Sequence, residues 1–109
     1  MSQTTIVVAR QKQQLDLGRT VATPGALAAL EPFPGRVNDL LARHASGNWG
    51  CVCAEDAKAN ARALKHGNRI LSAYPVDAAL PSKGWGDNTV WIITEWDRSV
   101  TTVLLPEEY

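Results

Sequence analysis

Six polar residues in this chain have the side-chain chemistry of a site that handles phosphate groups. Histidine exchanges protons near neutral pH, and arginine stabilises the charge that develops on phosphate oxygens in a transition state. Threonine and aspartate side chains position such a group through hydrogen bonds. The sequence therefore predicts a hypothetical catalytic set for metal-independent cleavage of RNA, made of His44, Arg69, Thr94, Asp97, Arg98 and Thr101.

The same residue types also have a purely structural interpretation. His44 falls on the apolar stripe of a predicted helix, where a half-buried histidine bonded to a backbone carbonyl is common. Asp97 and Ser99 stand in a turn that their own side chains can cap. The chain contains no glycine-rich phosphate loop, no paired catalytic carboxylates and no Ser-His-Asp order. Both interpretations stay open at this point.

Tryptophan is frequent in this chain, with four residues in a length of 109. Trp49, Trp85 and Trp96 each fall in a predicted turn, and Trp85 stands between two glycines in a long polar loop. Exposed tryptophans are typical anchors of binding sites. In a compact domain they also serve simply to cover a small core. The pattern predicts three partner-binding residues on a protein that contacts another protein.

The two cysteines, Cys51 and Cys53, are separated by one residue. Structural zinc sites use four ligands in paired spacings of two to four residues, which this single tight pair does not match. We expect neither a metal nor another cofactor, and we expect both cysteines to be reduced thiols in a cytoplasmic protein.

Hydrophobic periodicity and turn residues divide the chain into alternating segments. Two strands are predicted near the N-terminus, over Thr4–Ala9 and Leu15–Val21. Three short helices follow, over Pro24–Leu30, Arg36–Ala45 and Ala54–Lys65. Three further strands are predicted over Arg69–Tyr74, Val90–Glu95 and Val100–Leu105.

This order predicts a single α+β domain over residues 1–109, in which N-terminal strands and two to three short helices pack on a C-terminal antiparallel sheet. The last strands bring the predicted phosphate residues, and Ser72 with them, near one another. Periodicity predicts a core that contains Leu27, Leu40, Leu41, Leu64, Ile70, Ile92, Val103 and Leu105.

Composition narrows the classes of partner. The chain has 11 basic and 11 acidic residues and a formal net charge of zero. A broad electrostatic surface for duplex DNA is therefore not expected, although a small basic cleft is compatible with this charge. No apolar run approaches the ~18 residues of a membrane helix, and the first residues lack the pattern of a signal peptide. We expect no membrane partner, and oligomeric state cannot be deduced from composition.

A resemblance from Val21 onward is carried by the segments 21–30, 43–50, 69–74, 91–95, 97–99 and 101–109, with Glu55, Asp56 and Asn60. In these segments the chain resembles a family of small plasmid-related proteins of bacterial mobile elements. The function of that family is unknown, and some of its members carry the label of a type I restriction subunit. Compared with that family, this chain has Asn48 in place of an aspartate, Trp96 in place of a small residue, and a longer loop before Val90. The resemblance implies a mobile-element setting, in which an inhibitor of a defence or toxin system is one expected role.

Two further segments, Arg69-Ile-Leu71 and Thr94-Glu-Trp-Asp-Arg98, are similar to the sheets of barnase and RelE-type ribonucleases. Barnase has a histidine where this chain has Arg98, so His44 would have to supply the general acid. The sequence thus leaves two expectations, a non-catalytic interaction protein and, as the alternative, a ribonuclease that binds RNA.

Overall fold

A four-stranded mixed sheet with helices packed against it forms the framework in the computed structural model, which describes residues 14–109. The strand order is β1-β4-β3-β2. The strands are β1 (Arg19–Ala22), β2 (Ile70–Pro75), β3 (Thr89–Thr94) and β4 (Val100–Leu104). The helices are α1 (Pro24–Leu30), α2 (Arg36–Ala45) and α3 (Ala54–His66), with a final 3₁₀ turn over Pro106–Glu108.

The predicted α+β class is confirmed, and three of the four strands pair as predicted. β2 pairs antiparallel with β3, and β3 pairs antiparallel with β4. The expectation of an entirely antiparallel sheet is wrong, because β1 lies parallel to β4 with Thr20 opposite Thr101. The chain reaches this arrangement because all three helices and two strands intervene between β1 and β4, which is enough chain for a crossover. The predicted strand over residues 4–9 lies outside the described residues.

Local sequence signals explain where the helices begin and end. The Thr23 hydroxyl accepts the amide of Ala26 at 3.1 Å, and Pro24 occupies the first helical position of α1. Gly67 ends α3 in the left-handed region, with a φ of 73°, and its amide donates to the carbonyl of Ala63.

The core lies between the helices and one face of the sheet. Side chains alternate along strands, so Ile70, Ser72 and Tyr74 point to the same face. The larger cluster joins the helical residues Ala26, Leu30 and Leu40 to Tyr74, Val90, Ile92 and Val103. A second cluster contains Leu15, Trp49, Ala63 and Ile70.

Four of the predicted core residues, Leu40, Ile70, Ile92 and Val103, are buried. Leu41 and Leu64 are half-buried and pack against the two clusters, and Leu105 is half-buried. Leu27 is a wrong prediction, because 53% of it is exposed. Helix α1 turns Ala26 and Leu30 inward, four residues apart, which places Leu27 on the outer side.

Candidate functional site

His44 lies at the centre of a buried chain of hydrogen bonds between helix α2 and the sheet. Its Nδ1 atom lies 2.5 Å from Ser72 Oγ, and its Nε2 atom lies 2.8 Å from Thr94 Oγ1. Thr94 Oγ1 is 2.7 Å from Thr101 Oγ1, which in turn donates to the carbonyl of Leu17 at 2.7 Å. We call this set, from Ser72 to Thr101, the histidine network.

The direction of each hydrogen bond in the network follows from the acceptor at its end, the carbonyl of Leu17. A carbonyl oxygen only accepts, so Thr101 must give its single hydroxyl proton to Leu17. Thr94 then donates to Thr101, and His44 Nε2–H donates to Thr94. In the neutral ring Nδ1 is left as an acceptor for the Ser72 hydroxyl. The network therefore selects one neutral tautomer of His44, and every polar atom in it has a partner.

Burial keeps the His44 ring neutral. The residue has no exposed surface, and this desolvation lowers its pKa from 6.5 to about 4, with the charge of Arg98 as a smaller cause. Ser72, Thr94 and Thr101 are also completely buried. A substrate in solvent cannot contact a side chain without accessible surface, so in this conformation the histidine network acts as a polar part of the core.

The Arg98 guanidinium donates to three backbone carbonyls, two at or just after the last turn of helix α3 and one in its own turn. One terminal nitrogen donates to the carbonyls of Asn68 at 2.7 Å and Glu95 at 3.1 Å. The other donates to the carbonyl of Ala63 at 2.9 Å. The guanidinium adds a donor to the Ala63 carbonyl, which already accepts the amide of Gly67, and its positive charge neutralises the negative end of the helix. Arg98 therefore fastens the turn between β3 and β4 to α3, at a positive φ of 60°.

Asp97 caps the turn between β3 and β4, which is the structural role that its position in the sequence allows. Its Oδ1 accepts the amide of Ser99 at 3.1 Å and the hydroxyl of Ser99 at 2.7 Å. These hydrogen bonds stabilise the carboxylate and lower the pKa of Asp97. The side chain thus shapes the turn locally.

Arg69 lies apart from the histidine network. It is exposed, and its guanidinium stands 5.3 Å from the centre of the Tyr109 ring. Because Arg69 precedes Ile70, which points into the core, its side chain projects toward the opposite face of the sheet. Of the six predicted catalytic residues, the structure joins His44, Thr94 and Thr101 by hydrogen bonds, and it assigns Arg69, Asp97 and Arg98 to other contacts.

The three predicted partner-binding tryptophans have different environments. Trp49 is buried, with 9% of its surface exposed, and its ring meets the His44 ring edge to face at 6.0 Å. Trp85 and Trp96 are 61% and 66% exposed. Trp85 precedes β3 and Trp96 follows it, so the two positions lie beyond opposite ends of a strand about 20 Å long.

Trp85 belongs to an ordered loop between β2 and β3. Asn88 organises this loop at a φ of 54°, accepting the amide of Asp77 and donating to the carbonyls of Asp77, Leu80 and Pro81. The Trp91 indole donates to the carbonyl of Gly84 at 2.8 Å, which fastens the loop to the sheet. The loop therefore holds its shape while the Trp85 ring remains in solvent.

A concave surface lies beside this ring. It has a volume of about 590 Å³. The Lys83 ammonium lies 5.2 Å from the centre of the Trp85 ring, so a cation and an aromatic face are presented together. Its lining combines the apolar side chains of Leu80, Pro81 and Trp85 with polar and charged ones, among them Lys83 and Asp87.

Neither a metal cluster nor a membrane span is found in the part of the chain that the structure describes. No group of three or more His, Cys, Asp or Glu residues there has a geometry able to hold a metal ion. Cys51 is half-buried and Cys53 exposed, and both are free thiols. No helix within residues 14–109 is both long enough and apolar enough to cross a bilayer.

Comparison with known proteins adds no assignment, since no family model, curated protein or solved structure matches this chain. The resemblance to plasmid-related proteins therefore stays a prediction.

The sequence does not predict the roles of two residues, Ser72 in the histidine network and Asn88 in the Trp85 loop. The sequence predicts Ser72 near the phosphate residues but does not predict its hydrogen bond with His44. Its position between Ile70 and Tyr74 on a buried strand face was the available signal, because a polar group there needs a partner. Asn88 gave a weaker signal, since asparagine tolerates positive φ and bonds to nearby backbone in loops.

Proposed function

We propose that this protein is a non-catalytic interaction protein that binds another protein through the Trp85 loop. The observation that carries the proposal is the exposure of 61% of Trp85 on a loop fastened by Asn88 and Trp91. A loop that is already ordered loses little conformational entropy on binding, which favours affinity. Aromatic side chains held in this way are the usual energetic centres of interfaces.

The chemistry beside the ring specifies the kind of segment that fits. Leu80 and Pro81 extend the apolar surface next to Trp85, and Lys83 adds a positive charge at its edge. A partner segment with an apolar side chain for the ring and a carboxylate for Lys83 satisfies both features. Inhibition of a defence or toxin protein is the specific role that would suit mobile-element relatives.

The ribonuclease alternative has less support. Its general acid or base would be His44, which has no exposed surface and a pKa near 4. Its second guanidinium would be Arg98, whose terminal nitrogens already donate to three backbone carbonyls. The alternative requires a conformation in which both groups are released.

A random-peptide display library tests the interaction directly. The library is selected on wild-type protein, and each enriched peptide is then titrated against Trp85→Ala and Trp96→Ala. The second variant is a matched control, because Trp96 is similarly exposed and lies beyond the other end of β3. We expect peptides that pair an apolar residue with an acidic one, and a loss of affinity of about 30-fold or more only in Trp85→Ala.

Two results would count against the proposal. One is a selection without enriched peptides, or with peptides that bind Trp85→Ala as well as wild type. The other is cleavage of total RNA in EDTA that His44→Gln abolishes, which would favour the ribonuclease.

A further inference from the structure

The two edge strands of the sheet, β2 and β1, differ in whether their outward backbone groups have hydrogen-bond partners. At the β2 edge, the Asn60 side chain donates to the carbonyl of Leu71 and accepts its amide, at 2.8 and 3.3 Å. At Ala73, the carbonyl accepts the amide of Cys51 and the amide donates to the carbonyl of Trp49, at 2.6 and 3.1 Å. Side chain and loop together close this edge against further pairing.

The β1 edge has no such cover within residues 14–109. The amides of Arg19 and Thr23 donate to carbonyls of Ser99 and Val103, at 3.0 Å each, on the side of β4. Backbone groups alternate in direction along a strand, so the amides and carbonyls of Thr20 and Ala22 point away from the sheet. A free row of this kind is a template for another strand.

We propose that a second copy of this chain occupies the β1 edge, with the two β1 strands antiparallel about a twofold axis through Val21. In this register Thr20 of one copy faces Ala22 of the other, and each such pair exchanges two backbone hydrogen bonds. All outward groups of these residues are then satisfied. The two sheets become one continuous sheet, and the proposal is independent of the Trp85 surface.

The side chains at the centre of this register are compatible with it. Val21 is 38% exposed, and it would meet Val21 of the partner subunit in a pair without hydrogen bonds, with Cβ atoms about 5 Å apart. On the helix side, the edge residues border a shallow groove that Val37 and Leu41 of α2 help to line. The added strand would cover this apolar groove.

Charge complementarity selects a second copy over an unrelated peptide. The same register places Arg19 opposite Thr23 of the partner subunit. The Thr23 hydroxyl donates to Glu108 Oε1 at 2.5 Å, which holds a carboxylate beside that position. Arg19 is exposed and takes part in no salt bridge within residues 14–109. The twofold axis thus brings the Arg19 of each copy toward the Glu108 carboxylate of the other copy, which gives two equivalent contacts in the dimer.

Sedimentation velocity over a concentration series tests the proposal in solution. We expect wild-type protein to form a dimer at micromolar concentration. Val21→Asp should raise the dissociation constant on the order of 100-fold, because the axis sets the two carboxylates against each other. Ala59→Asp is the matched control, since Ala59 is exposed on α3, which packs against β2 at the other edge of the sheet, and it should leave the constant unchanged.

Cross-linking tests the register itself. In a background with Cys51→Ser and Cys53→Ser, Val21→Cys should form a disulfide-linked dimer under mild oxidation. Arg19→Cys should not, because the register separates the two introduced thiols by about 13 Å along the strands. Wild-type protein that stays monomeric at about 100 µM would overturn the proposal. A dimer that Val21→Asp leaves intact, or faster cross-linking at position 19 than at 21, would also overturn it.

Discussion

Protonation of His44 should destabilise the folded protein as the pH falls below neutral. The ring is neutral inside the histidine network, and burial lowers its pKa from 6.5 to about 4. The unfolded chain therefore binds the proton more tightly than the folded one. For a group of this kind, the full contribution to stability is present above pH 6.5 and is lost as the pH falls toward 4.

The magnitude follows from these two pKa values. At about pH 5, nearly all unfolded molecules carry a proton on His44, whereas only about a tenth of folded molecules do. The difference lowers the free energy of unfolding by about 2 kcal/mol between pH 7 and pH 5, and by about 3 kcal/mol at pH 4. For a domain of this size that is a large part of the total stability.

Urea unfolding followed by circular dichroism measures this effect at a series of pH values. His44→Gln removes the titrating ring, so its free energy of unfolding should fall about 2 kcal/mol less than that of wild type from pH 7 to pH 5. The variant should be less stable at pH 7, because it leaves part of the network unpaired. His66→Gln is the matched control, since His66 is exposed at the end of α3.

Equal losses of stability in His44→Gln and wild type over this interval would contradict a buried, neutral His44 as the titrating group. Equal losses would show that carboxylates alone account for the acid sensitivity. If His66→Gln instead reduced the loss of stability between pH 7 and pH 5, the titrating histidine would be His66 and not His44.

Three further substitutions test individual contacts by urea unfolding at neutral pH. Ser72→Ala leaves the buried Nδ1 of His44 without a donor and should lower the free energy of unfolding by about 1 to 3 kcal/mol; no loss would contradict the assigned tautomer. Arg98→Ala removes three hydrogen bonds to carbonyls and should lower the free energy of unfolding by about 2 kcal/mol. The control Arg62→Ala, at an exposed position, should lower it by less than about 0.5 kcal/mol, and equal effects of the two variants would exclude the capping role of Arg98. Asn88→Ala should cost about 2 kcal/mol and increase hydrogen exchange throughout its loop, and unchanged exchange would show that other contacts order it.

Local patterns in the sequence determined most elements and the α+β class. The Thr23-Pro24 start, the glycine after α3 and the alternation of branched residues in β3 and β4 are signals within a few residues of the element they set. Periodicity also predicted the buried Leu40 and Ile92. It failed at Leu27, because a short helix has several apolar residues and only packing decides which of them face inward.

Partners that are distant in the chain were decided only by the tertiary structure. Strand β1 pairs with β4, which follows it about 80 residues later in the chain. Nothing in the four residues of β1 specifies a parallel neighbour. Arg98 and His44 illustrate the same limit at single residues. Each has a side chain that suits catalysis, and the fold directs one to the end of α3 and the other into a buried network. The residue type specifies what a group can bond to, whereas burial and the neighbours supplied by the fold decide what it does bond to.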